Sequence, residues 1–202
     1  MIEATWELIV VIIGIALVFD YTNGFHDSAN SISTVVSTKV LSPRNAVIFA
    51  AFFNFIAAFG FGVAVASTIS KIIQLEIVDT RVIPYIIFSA LIGAISWNLI
   101  TWFSGLPTSS SHALIGGMTG AGISAAGLIA IKWSTVGQVA LFMVLSPIIG
   151  LICGYLFMVA ILNLTKDANK QSAESHFKRL QLFSAAAYSF SHGTNDAQKT
   201  MG

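Results

Sequence analysis

The chain has 202 residues, of which 55% are hydrophobic and only 9% are charged, with a formal net charge of +1. Soluble domains usually carry about 25% charged residues, so this composition excludes a water-soluble fold and predicts an all-α polytopic membrane protein. Its expected surroundings are a lipid bilayer, in the inner or plasma membrane, and no nucleic-acid partner is expected.

The first apolar tract begins near Trp6 and meets no basic residue until Lys39. About 20 residues suffice to cross a bilayer, so the tract is longer than one span requires. A polar cluster occupies residues 20–31, where lipid offers no hydrogen-bond partners. We therefore predict that this segment breaks the first helix and is buried in protein or lines a cavity. The N-terminal flank carries acids and no Lys or Arg, unlike a signal peptide, which indicates a retained span.

Three further apolar spans follow at residues 45–70, 82–102 and 133–164. Between the last two, a serine-rich stretch opens residues 106–131, which we predict to form a helical hairpin near the midplane and count as one net crossing. Residues 165–180 are hydrophilic and basic, and are interpreted as a cytoplasmic loop. A new apolar segment begins after that loop.

Two polar motifs share the pattern Gly-x-x-Asp, with Gly24 and Asp27 in the first and Gly193 and Asp196 in the second. An odd number of predicted crossings separates them, so the second motif enters the membrane from the opposite face. This is the signature of an inverted-repeat transporter with broken helices and a midplane substrate site. We assign residues 1–164, with about five crossings, to the first repeat and residues 181–202 to the start of a second one, which is truncated.

The basic residues divide unequally between the two predicted faces. The richer face receives Lys39, Arg44, Lys166, Lys170, Lys178 and Arg179, and the other receives Lys71, Arg81 and Lys132. The positive-inside rule places the richer face in the cytoplasm and the N-terminus outside.

The two motif aspartates predict a cation site, because a carboxylate in the bilayer core is costly unless it faces a cavity or a cation. Helical spacing places Asn23, Asp27 and Asn30 on one face, which offers oxygen ligands to Na⁺ or a proton. Asp27, Asn30 and Asp196 are the predicted metal ligands if the ion is sodium. Two structural alternatives remain open: Asp27 pairs with His26 or a lysine and only fixes packing, and Asn30 forms an interhelical hydrogen bond.

The serine-rich stretch predicts an anion site. Proline followed by hydroxyl residues marks a helix N-terminus, where free N–H groups and the helix dipole favour an oxyanion. The hydroxyl residues that we assign to a tetrahedral oxyanion are Thr108, Ser109, Ser110 and Ser111. Thr194 and Asn195 of the second motif complete the predicted ligands of this anion. The alternative for the stretch is an ordinary helix cap facing the cytoplasm.

Lys199 stands where the first motif has Asn30, so the two half-sites differ chemically. Its ammonium group could balance phosphate or a carboxylate. Alternatively, the side chain snorkels to an interface.

Three ordered segments of the chain closely resemble the bacterial form of the inorganic phosphate transporter (PiT) family. They are Asn23-Gly24-Phe25-His26-Asp27-Ser28-Ala29-Asn30, then Trp97-Asn98-Leu99 through Gly105-Leu106-Pro107-Thr108-Ser109-Ser110-Ser111-His112-Ala113-Leu114-Ile115-Gly116-Gly117, and finally Ser191-His192-Gly193-Thr194-Asn195-Asp196-Ala197-Gln198-Lys199-Thr200-Met201-Gly202. The resemblance implies a symporter of inorganic phosphate driven by Na⁺ or H⁺. It also implies that Asp27 and Asp196 are essential and that residues 108–111 contact phosphate.

Members of that family are roughly twice this long and carry a second serine/threonine hairpin after the second aspartate motif. The resemblance therefore implies that a complete carrier needs the remainder of the second repeat. A homodimer is one assembly that the sequence leaves open. No cofactor is expected apart from the coupling ion.

Three other functions were weighed against a coupled phosphate carrier. A passive anion channel would use the hydroxyl-rich helix start equally well, but would not need paired aspartates. A proton-coupled carrier of a metal-phosphate complex stays open as an alternative. An enzyme would need Ser111, His112 and Asp27 as nucleophile, base and orienter, but adjacent residues at a helix start point in different directions, so we predict that the protein is not an enzyme.

Overall fold

The structure is a computed structural model that describes residues 6–59 and 63–201. Its helices are α1 Trp6–Ser37, α2 Pro43–Ala58, α3 Ala64–Ser70, α4 Ile83–Phe103, α5 Ser110–Ala126, α6 Trp133–Thr165 and α7 Lys170–Asp196, with a 3₁₀ turn at Leu128–Ala130. These residues form no β-strand beyond an isolated bridge between Ile73 and Ile131. The predicted all-α class is confirmed, and α1, α4 and α6 are long and apolar enough to cross a membrane.

The predicted break at residues 20–31 is wrong, because α1 continues through this segment without interruption. In a continuous helix the backbone N–H and C=O groups are already paired, so only the polar side chains need partners. Thr22 and Ser28 donate their hydroxyl hydrogens to carbonyls of their own helix, those of Phe19 and Phe25. Other polar side chains of α1 face neighbouring segments of the protein.

The predicted span at residues 45–70 is divided between α2 and α3. Ser42 caps the start of α2 by accepting a hydrogen bond from the Asn45 N–H, and Pro43 occupies the first turn, where its missing N–H costs nothing. The sequence between the two helices contains Gly60 and Gly62. Glycine has low helix propensity, which accounts for the end of α2 ahead of this stretch.

Helices α4 and α5 pack against each other as an antiparallel hairpin. Gly117 on α5 lies so close to α4 that a Cβ atom there would sit 2.5 Å from the Ala90 carbonyl oxygen. Small residues allow such backbone approach between membrane helices. The hairpin predicted within residues 106–131 therefore has α5 as its second arm, and its first arm is α4.

The tip of this hairpin lies level with the middle of α1. The Phe25 ring contacts Trp102, close to the end of α4, in a tilted arrangement with a centroid distance of 3.8 Å, and Ser110 at the start of α5 contacts Asn23. With a rise of 1.5 Å per residue, Asn23 lies roughly 20 to 25 Å from either end of α1. The serine-rich turn thus lies level with the middle of α1, and its Ser110 is buried.

Helix α6 confirms the predicted span at residues 133–164 and contains Pro147 within an unbroken helix. Thr135 is its only buried residue among those described. Its apolar side chains, including Phe142, Leu151 and Phe157, are exposed.

The predicted loop at residues 165–180 is wrong over most of its length, because α7 already begins at Lys170. Asn169 caps α7 by accepting a hydrogen bond from the Gln171 N–H. Glu174 and Lys178 form an ion pair of 2.7 Å at i,i+4 spacing on the exposed surface. Charged residues with this spacing favour a solvated helix as readily as a loop.

Helix α7 runs antiparallel to α1. In the first half of α7, Gln181 donates a hydrogen bond to the Thr34 carbonyl, close to the end of α1. At the other end of α7, Asp196 meets Asn23, in the middle of α1. The two Gly-x-x-Asp motifs therefore lie side by side on oppositely directed helices, as an inverted repeat requires.

Candidate substrate and cation site

The buried face of α1 is a row with a period of four residues, formed by Phe19, Asn23, Asp27, Ser31 and Val35. Rows of this spacing form an inclined ridge on a helix, which packs into the groove of a crossing neighbour. The two polar groups with the largest hydrogen-bonding capacity in this row, Asn23 and Asp27, face α7.

Helix α7 contributes His192 and Asp196, one helical turn apart. The His192 Nε2 lies 3.0 Å from Asp196 Oδ2 and 3.6 Å from Asp27 Oδ2. One nitrogen and two carboxylate oxygens of these residues lie within 4.8 Å of one another, which is close enough to hold a single cation. The neighbour of Asp27 is therefore His192 of the second motif, not only the adjacent His26 considered from the sequence.

Contacts between the two motifs are reciprocal. Asn23 Nδ2 donates a hydrogen bond of 3.0 Å to Asp196 Oδ2, while His192 approaches Asp27. In the aligned motifs Asn23 corresponds to His192, and Asp27 corresponds to Asp196. Each motif thus presents the residue four positions before its own aspartate to the aspartate of the other motif, which is the arrangement expected of two repeats related by a pseudo-twofold axis.

Lys199 lies in the turn after α7 and is 4% exposed. Its Nζ lies 2.7 Å from Asp196 Oδ1 and donates hydrogen bonds of 3.0 Å to Asn23 Oδ1 and 2.8 Å to Ser110 Oγ. Ser110 Oγ in turn donates to Asn23 Oδ1. Lys199 therefore pairs with a carboxylate and does not snorkel to an interface.

A cavity of about 540 Å³ opens beside this cluster, between α1, α2 and α7. Three of its lining residues are the acids Asp20, Asp27 and Asp196, and Asn54 of α2 lines it as well. Asp20 Oδ2 accepts a hydrogen bond of 2.9 Å from Thr200 Oγ1. A wall with three carboxyl groups favours a cation on this side of the cluster.

The four hydroxyl residues of the serine-rich turn do not converge. Ser110 points into the cluster and is buried, whereas Ser109 caps α5 by accepting from the His112 N–H. Thr108 Oγ1 accepts a hydrogen bond of 3.1 Å from the indole Nε1 of Trp97, and Ser111 is half-buried. The helix start thus combines a structural cap with one hydroxyl inside the site.

Three residues predicted for the site lie outside this cluster. Asn30 is exposed and lines a different cavity, together with residues of α6 and α7. It lies off the buried row of α1. A row with a period of four residues turns slowly around the helix, and the sequence spacing alone did not reveal this. Thr194 donates its hydroxyl to the Phe190 carbonyl of its own helix, and Asn195 is exposed.

The sequence analysis missed His192 and Asn54 as site residues. His192 could have been found, because it stands four residues before Asp196 and so shares its helix face. Asn54 carries no comparable local signal. It reaches the site because Gly193 lets the backbone of α2 approach α7 closely, with a hypothetical Gly193 Cβ only 2.6 Å from Asn54 Cα.

Comparison with known proteins agrees with this arrangement. The sequence profile of the phosphate transporter family matches residues 23–202. The chain belongs to the phosphate transporter family. Within the family, it is 48% identical to a probable low-affinity inorganic phosphate transporter of Rhizobium meliloti, over 98% of this chain and 58% of that protein. A protein of Bacillus subtilis with the same description is 46% identical, over 96% of this chain and 58% of that protein.

The chain is also similar to a solved structure described as the sodium-dependent phosphate transporter. The TM-score is 0.76 at 25% identity, over 96% of this chain and 56% of that one. The chain thus spans a little over half the length of these two curated relatives and of the solved structure. The family and its named members are transporters rather than enzymes, in agreement with the sequence prediction.

Proposed function

We propose that this chain is part of a carrier that moves inorganic phosphate across the plasma membrane together with a cation. The chain forms the first repeat of that carrier and the start of the second, including its share of the site. The observation that supports it most strongly is the meeting of two acidic motifs with the start of α5, deep between α1 and α7. An acidic group of residues and a helix N-terminus attract opposite charges, so their contact offers adjacent places to a cation and an anion.

Phosphate is expected at the start of α5, beside Ser110. The first N–H groups of a helix have no intrahelical acceptor and carry the positive end of its dipole. The Lys199 ammonium, 2.8 Å from Ser110 Oγ, adds a full positive charge at the same place. The Ser110 hydroxyl and the ammonium already bond within the cluster. The free N–H groups are therefore the donors offered to the phosphate oxygens, and the ammonium contributes its charge.

The coupling cation is expected at Asp27, on the open side of the cluster. Asp196 has the Lys199 ammonium at 2.7 Å, whereas the basic side chain closest to Asp27, His192, lies at 3.6 Å. A cation bound at Asp27 would reduce the negative charge that otherwise repels phosphate. Each solute would therefore favour binding of the other, which is a coupling free energy between two sites.

A second candidate, a proton-coupled carrier of a metal-phosphate complex, is favoured by His192. Imidazole is a common ligand of transition metals, whereas sodium prefers oxygen, and the His192 nitrogen lies within reach of both carboxylates. Phosphate uptake that requires a divalent metal, with metal and phosphate accumulating together, would support this candidate over free phosphate.

The antiparallel contact between α1 and α7 supports alternating access at the interface of two inverted repeats. The predicted orientation, with the N-terminus outside, also stays part of this proposal. In the fold, Lys39 and Arg44 lie at the end of the assembly where Gln181 contacts Thr34. The segments that carry the basic residues of the other face, around Lys71 and Lys132, are joined by the bridge between Ile73 and Ile131. The exposed apolar face of α6 is available for lipid or for other protein segments.

The test is uptake of radiolabelled phosphate into proteoliposomes that contain the full-length protein, with an imposed sodium or proton gradient. We expect gradient-driven uptake that is lost in Asp27→Asn. Asp167→Asn, at an exposed position between α6 and α7, is the matched control and should transport normally. Uptake that persists with both gradients collapsed and survives Asp27→Asn would instead indicate a passive channel.

A further inference from the structure

The environment of the Lys199 ammonium has the composition of a cation site. Three oxygens surround it, one carboxylate oxygen from Asp196, one amide oxygen from Asn23 and one hydroxyl oxygen from Ser110. They come from three separate helices, α7, α1 and α5. One carboxylate with neutral oxygens is a typical ligand set for a hard cation, and these three atoms converge on a point already filled by an ammonium nitrogen.

The burial of Lys199 shows that this is a built feature of the interior. The residue is 4% exposed, while its partners Asn23 and Ser110 are each 3% exposed. A buried ammonium is costly unless it is paired and fully hydrogen-bonded, and Lys199 has three acceptors for its three N–H groups. Its side chain therefore sits in a site that satisfies a monovalent cation.

The two aspartates differ in this respect. Asp196 has a cation supplied by the chain itself at 2.7 Å, whereas Asp27 faces the cavity and has His192 at 3.6 Å as its ion-pair contact. In the aligned motifs the residue three positions after the aspartate is Asn30 in the first and Lys199 in the second. A neutral amide in one motif is thus replaced by a covalently attached cation in the other.

We propose that Lys199 acts as a tethered cation, whose ammonium occupies an oxygen site that would otherwise bind a free monovalent cation such as sodium. On the Asp196 side the protein then needs no ion from solution to balance its carboxylate. This inference rests on the proposed function only for its transport consequence, that one fewer coupling ion binds in each cycle. The site itself is a property of the folded protein.

Removing the ammonium should convert the three surrounding oxygens, hereafter the oxygen cage, into a sodium site. The experiment compares the thermal unfolding midpoint of purified full-length protein in sodium chloride and in choline chloride at equal ionic strength. In Lys199→Met, we expect sodium to raise the midpoint by several degrees more than it does in the wild type, because a ligand that binds only the folded state stabilises it. Lys199→Asn, which carries the residue of the first motif, should show the same gain.

Two controls separate this effect from general salt stabilisation. Lys199→Arg keeps a positive charge in the oxygen cage. Lys170→Met removes a charge from an exposed position at the start of α7. Neither variant should gain a sodium-specific shift over the wild type. The proposal would be overturned if the rise in unfolding midpoint for Lys199→Met were no larger than for these controls in sodium, in lithium and in potassium chloride.

Failure to fold is also informative in this design. If both neutral variants aggregate in choline chloride but are monodisperse in sodium chloride, sodium is replacing the ammonium and the proposal is supported. Aggregation in both salts would overturn it.

Phosphate uptake by the wild type is measured in parallel, so the two proposals can fail separately. A sodium-specific shift in Lys199→Met without any phosphate uptake by the wild type would retain the tethered cation and reject the carrier. Gradient-driven uptake by the wild type without such a shift would do the reverse.

Discussion

Replacing Gly193 with alanine should force α2 and α7 apart. The added Cβ would lie 2.6 Å from Asn54 Cα and 2.7 Å from the Asn54 carbonyl oxygen, both of which belong to the α2 backbone. Ordinary contact begins at 3.4 Å, so the two helices must separate by about 0.8 Å at this point. Overpacking of this kind typically costs about 1 to 3 kcal/mol. For proteins of this size, each kcal/mol lowers the unfolding midpoint by about 2 to 4 °C.

The displacement should also impair phosphate uptake, because His192 precedes Gly193 and Asp196 lies less than one turn beyond it. The assay is thermal unfolding of the purified protein, followed by phosphate uptake in proteoliposomes. Gly154→Ala on α6, where an added Cβ meets no atom within 4 Å, is the matched control and should be neutral or slightly stabilising. If Gly193→Ala unfolds at the same temperature as Gly154→Ala and transports normally, α2 and α7 do not pack as described.

Other substitutions separate stability from transport at the hairpin of α4 and α5. Gly117→Ala would place a Cβ 2.5 Å from the Ala90 carbonyl oxygen and should lower the unfolding midpoint, whereas Gly116→Ala, with open space around it, should not. Ser109→Ala removes the cap of α5 and should cost about 0.5 to 2 kcal/mol, measurable by thermal or denaturant unfolding. Ser110→Ala removes a buried hydroxyl that contacts the Lys199 ammonium, so it should reduce phosphate uptake more than Ser109→Ala does, and equal losses in the two variants would contradict the assigned roles.

Apolar runs and polar motifs carried most of the information that could be predicted. The runs predicted α1, α4 and α6, because a long stretch without charges has few alternatives to a membrane helix. The Gly-x-x-Asp repeat predicted that Asp27 and Asp196 belong to one site, and the structure brings them to the same histidine. Two predictions failed for a common reason. Residues 20–31 and 165–180 were interpreted from polarity, but polar side chains are compatible with a helix when they face protein or water.

What the sequence determined by itself is therefore the membrane class, the position of most spans and the identity of the two acidic motifs, since these depend on local composition and spacing. Only the tertiary structure decided which side chains meet. The antiparallel packing of α7 against α1 selects His192 and leaves Asn30 outside, and the close approach at Gly193 brings in Asn54. The hairpin of α4 and α5 delivers Ser110 to Lys199. These contacts join residues far apart in the chain, so they depend on how whole helices cross, and no local pattern encodes that geometry.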